Sequence, residues 1–139
     1  MYPSTPTTQR VFQPIPADVE RLGKIALNAA FKVHATLGPG LLESVYQVAM
    51  KHVIEKSGVA VKTDVKLPIM FEGIKLESGL HLDMLVEKCV IVELFSVEKM
   101  NPLYQKQLLT YLRLSRLRLG FQINFNVPYL KDGMKRFVV

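Results

Sequence analysis

The chain has 139 residues, 49% of them hydrophobic, which is enough for one domain with one sizeable core and too little for two. No apolar run approaches the ~20 residues of a membrane-spanning helix, and the lone cysteine, Cys89, excludes a disulfide framework and argues against a Cys/His zinc site, so a reducing, cytoplasmic setting fits. The net charge of +6 is unevenly placed: residues 99–139 hold eight basic residues and one acid, Asp132, so the whole excess lies in the last third, where a polyanion such as DNA or RNA is the natural partner and a solvated basic face the plain alternative.

Residues 1–17 carry Pro3, Pro6, Pro14 and Pro16 with threonines between them, and no apolar core of the secretory kind. That composition predicts a mobile leader, with the domain proper running over 18–139. From Asp18 to Leu37, Val19, Leu22, Ile25, Ala26, Ala29, Ala30 and Val33 recur at helical spacing. Gly38-Pro39-Gly40 breaks that helix. A second helix is expected over Leu41 to Lys56, with Leu42, Val45, Ala49, Val53 and Ile54 as its apolar stripe and Ser57-Gly58 as its stop. The period then changes. Val59, Val61, Thr63, Val65 and Leu67 alternate as in a strand that stays extended to Phe71, and Glu72-Gly73 turns the chain. Leu80 to Val86 and Cys89 to Phe95 read as an antiparallel hairpin closed at Glu87-Lys88. Pro102 opens a third helix, Leu103 to Leu117. Gly120 to Val127 reads as a last buried strand, and Arg136 to Val139 as a short edge strand after the Asp132-Gly133 turn. The main order is ααβββαβ, an α/β sandwich with a mixed central β-sheet flanked by helices.

Two acids stand out in the hairpin. Strand parity puts His81, Asp83 and Leu85 on one face and Leu80, Leu82, Met84 and Val86 on the other. On the next strand Cys89, Ile91, Glu93 and Phe95 share a face. Asp83 and Glu93 each interrupt an apolar run, and a carboxylate taken out of water costs several kcal/mol unless something compensates. A basic side chain could compensate, and so could a cation. A shared Mg²⁺ or Mn²⁺ would also remove the repulsion between the two acids.

Asp83 followed after a gap by Glu93-Leu94-Phe95 resembles the PD-(D/E)xK nuclease core, with Phe95 where that core has lysine. Gly40-Leu41-Leu42-Glu43-Ser44-Val45-Tyr46 is similar to the GxxExxY signature of a small bacterial family in that superfamily. Gln107-Leu108-Leu109-Thr110-Tyr111 is similar to its QxxxY helix, and residues 119–133 also resemble that family. The resemblance implies a restriction-endonuclease-like fold and divalent-metal-dependent hydrolysis of phosphodiesters in DNA or RNA. It makes Asp83, Glu93 and Glu43 the metal-binding acids, and Gln107 and Tyr111 the groups that orient phosphate or water. Lys106, Arg113, Arg116 and Arg118, on or just after the same helix, are the expected phosphate contacts.

Two departures bear on activity. Phe95 has neither charge nor exchangeable proton, and loss of such a lysine costs on the order of 10²–10⁴ in rate. Tyr104 stands where that family has histidine. The expectation is therefore a nuclease-like chain with impaired cleavage, or a lysine supplied from elsewhere, Lys99 being nearest in sequence. The alternative is a non-catalytic module that binds nucleic acid or a protein on the same fold. His34, His52 and His81 have no zinc spacing, His34 being placed to serve a helix C-terminus. Ser44 and Ser96 have no evident base partner.

Overall fold

The computed structural model describes residues 13–139. Its elements are α1 (Ala17–Leu37), α2 (Glu43–Lys56), β1 (Val61–Phe71), β2 (Ile74–Val86), β3 (Val90–Phe95), α3 (Leu103–Ser115), β4 (Leu119–Asn124) and, after a 3₁₀ turn at Leu130–Gly133, β5 (Met134–Val138). The five strands form one mixed sheet in the order β1-β2-β3-β4-β5. Only β3 and β4 are parallel, joined by the crossover through α3; the other neighbours are antiparallel. Helices on both faces make this the expected restriction-endonuclease-like sandwich.

The larger core lies under α1 and α2. Leu22, Ala26, Ala29, Ala30 and Val33 of α1 meet Met84, Val86, Val90, Val92, Leu119, Phe121 and Ile123 of the sheet. Gly23 lets α1 approach closely, since a Cβ there would lie 3.0 Å from a Leu119 methyl. The smaller core, Leu80, Leu82, Leu85, Ile91, Leu108 and Leu112, lies under α3 on the opposite face.

Several expectations need correction. The buried face of α2 is Tyr46, Met50 and Ile54, whereas Leu42 and Val45 are exposed. The helix carries apolar residues on two sides, and packing against Phe125 selects the one with Tyr46. Strand β2 begins at Ile74, and its first residues pair with β1 as an exposed hairpin arm, closed at Glu72 (φ 49) and Gly73 (φ 81). Parity in β2 also slips by one: Leu80 and Leu82 join Leu85 in the smaller core, while Met84 and Val86 enter the larger one. The slip occurs at Asp83, opposite Asp64, whose backbone is left-handed (φ 52) and leaves the β1–β2 ladder. The expected leader falls mostly on residues 1–12, outside the described residues; Ile15, however, is buried in the larger core, so packing begins before Asp18.

The Gly38–Leu42 loop, which sets where α2 starts, is held by Tyr46. The fully buried ring stacks on Phe125 (4.2 Å, 6°), and its hydroxyl donates to Gly38 O (2.5 Å) and accepts from Leu41 N (3.1 Å). Tyr46→Phe keeps the ring and leaves both backbone groups unmatched. Thermal or urea unfolding should register a loss of about 1–3 kcal/mol; an unchanged midpoint would mean that the loop is held by other contacts.

Candidate metal centre

Strands β2 and β3 pair through their backbones only over Met84–Val86 and Val90–Val92. Asp83 and Glu93 would form the next rung, and there the strands part. Their side chains take over the hydrogen bonding: Asp83 N donates to Glu93 Oε2 (3.0 Å) and Leu94 N to Asp83 Oδ2 (2.9 Å). Each acid thus satisfies a backbone N–H of the other strand, which anchors both carboxylates at the fork.

Glu93 is 7% exposed and Asp83 half-buried. Among the described residues neither forms an ion pair with lysine or arginine. Burial pushes the Glu93 carboxyl up to about 8, the Asp83 charge adds to this, and the bond from Asp83 N opposes it. Burial likewise raises Asp83, against the bond from Leu94 N, with the Glu43 charge adding a smaller push.

A pocket of about 180 Å³ opens beside Asp83, lined by Glu43, Ser44, Gln47, Asp64, Asp83 and Leu94. Glu43 is the first residue of α2 and is exposed; its carboxylate accepts from Ser96 N at 3.3 Å. Gln47, one turn on, donates to Asp83 O (2.9 Å) and so ties α2 to the fork. Tyr111 of α3 is half-buried near the pair: burial first, then the Glu93 charge, raises its hydroxyl. Gln107, one turn earlier, is exposed.

Among the described residues no set of three or more His, Cys, Asp or Glu side chains is arranged to hold a metal. Glu43 and Asp83 share the pocket wall, but the three expected acids do not converge as one cage. The pair still fits a hard divalent cation in its chemistry. Both donors are carboxylates without a basic counter-charge, and Mg²⁺ is commonly held by one or two carboxylates while keeping water as its remaining ligands.

Other expected residues divide. Phe95 stacks on Tyr104 at 4.8 Å and 22°, so the two residues expected to depart from the nuclease pattern form one contact between the end of β3 and the start of α3. Lys106, Arg113 and Arg116 are exposed on α3 and its cap. Arg118 is not available in the same way: its guanidinium donates to the carbonyls of Val139 (2.9 Å), Pro14 (3.2 Å) and Gln13 (2.5 Å), clamping both ends of the described chain. Lys99 is exposed beyond β3. His81 turns to Asp64 (3.8 Å), and His34 Nε2 meets Val127 O (2.8 Å).

Three residues here escaped the sequence reading. Asp64 lines the pocket. Asn124 binds both backbone groups of Val97, holding the chain just past Phe95. Gln122 sits beside Glu93 in register on β4. The last two alternate with buried apolar residues, so a strand pattern reads them as outward-facing; only strand order places Gln122 next to an acid.

A family model described as the PD-(D/E)XK nuclease superfamily matches residues 20–137. No curated protein and no solved structure gives a significant match.

The acid pair has a pH signature. Unfolded, Glu93 titrates near the ordinary 4.5; folded, near 8. Between those values the folded chain holds a proton that the unfolded chain has lost, so stability falls as pH rises through that window. The loss at pH 8 should be on the order of 2–4 kcal/mol. Glu93→Gln, which keeps an acceptor for Asp83 N, should flatten this slope in urea melts from pH 5 to 8. A slope equally steep in the variant would rule out Glu93 as its source.

Proposed function

Since the chain belongs to the PD-(D/E)XK nuclease superfamily, we propose that it is a nuclease-like protein of the GxxExxY group, built for divalent-metal-dependent hydrolysis of phosphodiester bonds in DNA or RNA and impaired in cleavage by Phe95. The observation that carries the metal reading is the Asp83–Glu93 pair, anchored at the fork, with Glu93 buried and Asp83 half-buried, and without a basic partner among the described residues. Asp83 and Glu93 are the principal ligands, and Glu43 is the third acid, on the pocket wall. When bound, Mg²⁺ or Mn²⁺ supplies charge stabilisation at the phosphate and a nucleophile usable near neutral pH.

The protein's own groups have distinct tasks. Backbone N–H groups anchor one oxygen of each carboxylate at the fork and leave the other oxygen for an ion. Gln47 fixes the Asp83 backbone from α2. Tyr111 stands near Glu93 and, with Gln107 on the same side of α3, orients substrate phosphate. Lys106, Arg113 and Arg116 hold the nucleic-acid backbone. No base-reading pattern is evident, so these contacts supply affinity without sequence choice.

The Phe95–Tyr104 stack favours a second reading, a binding module without turnover. It fills the place of the lysine stem with two rings that contribute about 0.5–1.5 kcal/mol to packing and offers the scissile phosphate no charge.

Cleavage assays separate the readings. Purified protein with DNA or RNA and Mg²⁺ or Mn²⁺ should cleave weakly, above an Asp83→Ala control. Phe95→Lys should raise the rate by about 10²-fold or more. If neither parent nor Phe95→Lys exceeds the control, the hydrolase reading fails and the binding module stands. For binding, Lys106→Ala, Arg113→Ala and Arg116→Ala should each weaken DNA or RNA affinity and lower the salt slope by about one. Unchanged slopes would move the nucleic-acid surface elsewhere.

A further inference from the structure

Strand register extends the acid site across the sheet. Glu93 of β3 pairs with Gln122 of β4, and in-register neighbours present their side chains on one face, about 4.8 Å apart. That face is the one covered by α3: two rungs back, Ile91 pairs with Gly120, and a Cβ on Gly120 would touch Leu108 and Leu112. Gln122 is 2% exposed, and its Nε2 has no hydrogen-bond partner among the described residues. A buried amide donor without an acceptor is uncommon and costly, and it calls for an explanation. The neighbouring carboxylate already uses Oε2 for Asp83 N.

Resting on the metal reading above, we propose that Gln122 is a positioning residue for Glu93: its amide donates to the Glu93 carboxylate when a divalent ion is bound, and so sets the orientation in which Glu93 holds the ion. The unmatched N–H₂ is then a donor kept for the loaded state. The logic is that of partners behind metal ligands elsewhere, where a hydrogen bond to the ligand orients it and loss of the partner weakens the metal about 10–100-fold. A purely structural glutamine would show the opposite pattern, with its amide bonded in the unloaded fold.

The test is Gln122→Met, of similar length and without a donor. Mn²⁺ binding to the whole chain is measured by electron paramagnetic resonance or calorimetry, with the melting temperature of the metal-free protein as a parallel readout. The expected result is Mn²⁺ affinity weakened about tenfold or more, with a melting temperature equal to the parent's or higher, because an unmatched buried donor has gone. Gln122→Asn, which draws the amide back by one methylene, should also weaken Mn²⁺ and covers the case in which the methionine variant does not fold. Parent-like Mn²⁺ affinity in a folded variant overturns the role of Gln122 and leaves the metal reading standing. A lowered metal-free melting temperature with parent-like affinity assigns Gln122 to packing alone. No Mn²⁺ binding by the parent overturns the metal reading, and this inference with it.

Discussion

Everything at the site depends on the reciprocal pair of hydrogen bonds at the β2–β3 fork. Where the backbone ladder ends, Asp83 N turns to Glu93 Oε2 and Leu94 N to Asp83 Oδ2. Backbone N–H groups inside a fold need acceptors, and here the acceptors are the two carboxylates. The same bonds therefore close the sheet and fix the acids. They also explain why two like charges can sit together in a largely apolar setting: each is partly balanced by an N–H dipole, while burial and mutual repulsion still drive Glu93 toward its neutral form. The arrangement is stable as a protonated pair and is chemically suited to exchange that proton for a cation.

Much of the fold was legible because its signals are local. Helical spacing marked α1, the Gly38-Pro39-Gly40 break set its end, and the Glu72-Gly73 turn closed the first hairpin. The errors come from tertiary choices. Helix α2 has two apolar sides, and the stacking partner of Tyr46 lies 79 residues away at Phe125. The first half of β2 is an arm exposed on both faces, so the apolar-polar alternation of Ile74 to Glu77 marks no buried side there. Asp83 was found through its oddness in an apolar run, yet its face followed from no parity rule, because the left-handed Asp64 opposite it breaks the alternation. Gln122 gave no signal of its own; its meaning is entirely its neighbour.

Phe95 and Tyr104 look independent along the chain and are not. Their stack ties the end of β3 to the first turn of α3. Asn124 binds Val97 from β4 just beyond, so three elements are joined around the ring. A charged stem at position 95 would lose that aromatic neighbour, and a smaller ring at 104 would leave Phe95 less covered. The pair acts as one unit in packing, so a change at either position is felt at the other. Anchoring of the acids lies upstream of Phe95 and involves neither ring, so a change at the stack leaves the two carboxylate hydrogen bonds in place.

The charge excess of the last third must also be divided. Arg136 forms a two-pronged pair with Glu20 of α1, and Arg118 holds the carbonyls of Gln13, Pro14 and Val139, so both serve the fold. Lys106, Arg113 and Arg116 remain exposed on the layer formed by α3, while the pocket is walled by Glu43, Asp64 and Asp83. Under the proposed function, a polyanion drawn to the helix would meet negative charge as it neared the pocket. A divalent ion at Asp83 and Glu93 would remove that opposition, and its binding would be strengthened in turn by nearby phosphate. Metal and nucleic acid should therefore raise each other's affinity by the same factor, as linkage requires of two ligands that interact on one protein. Under the proposed function the acid pair would do more than hold an ion: its occupancy would set whether a phosphate held by the basic helix can approach the fork.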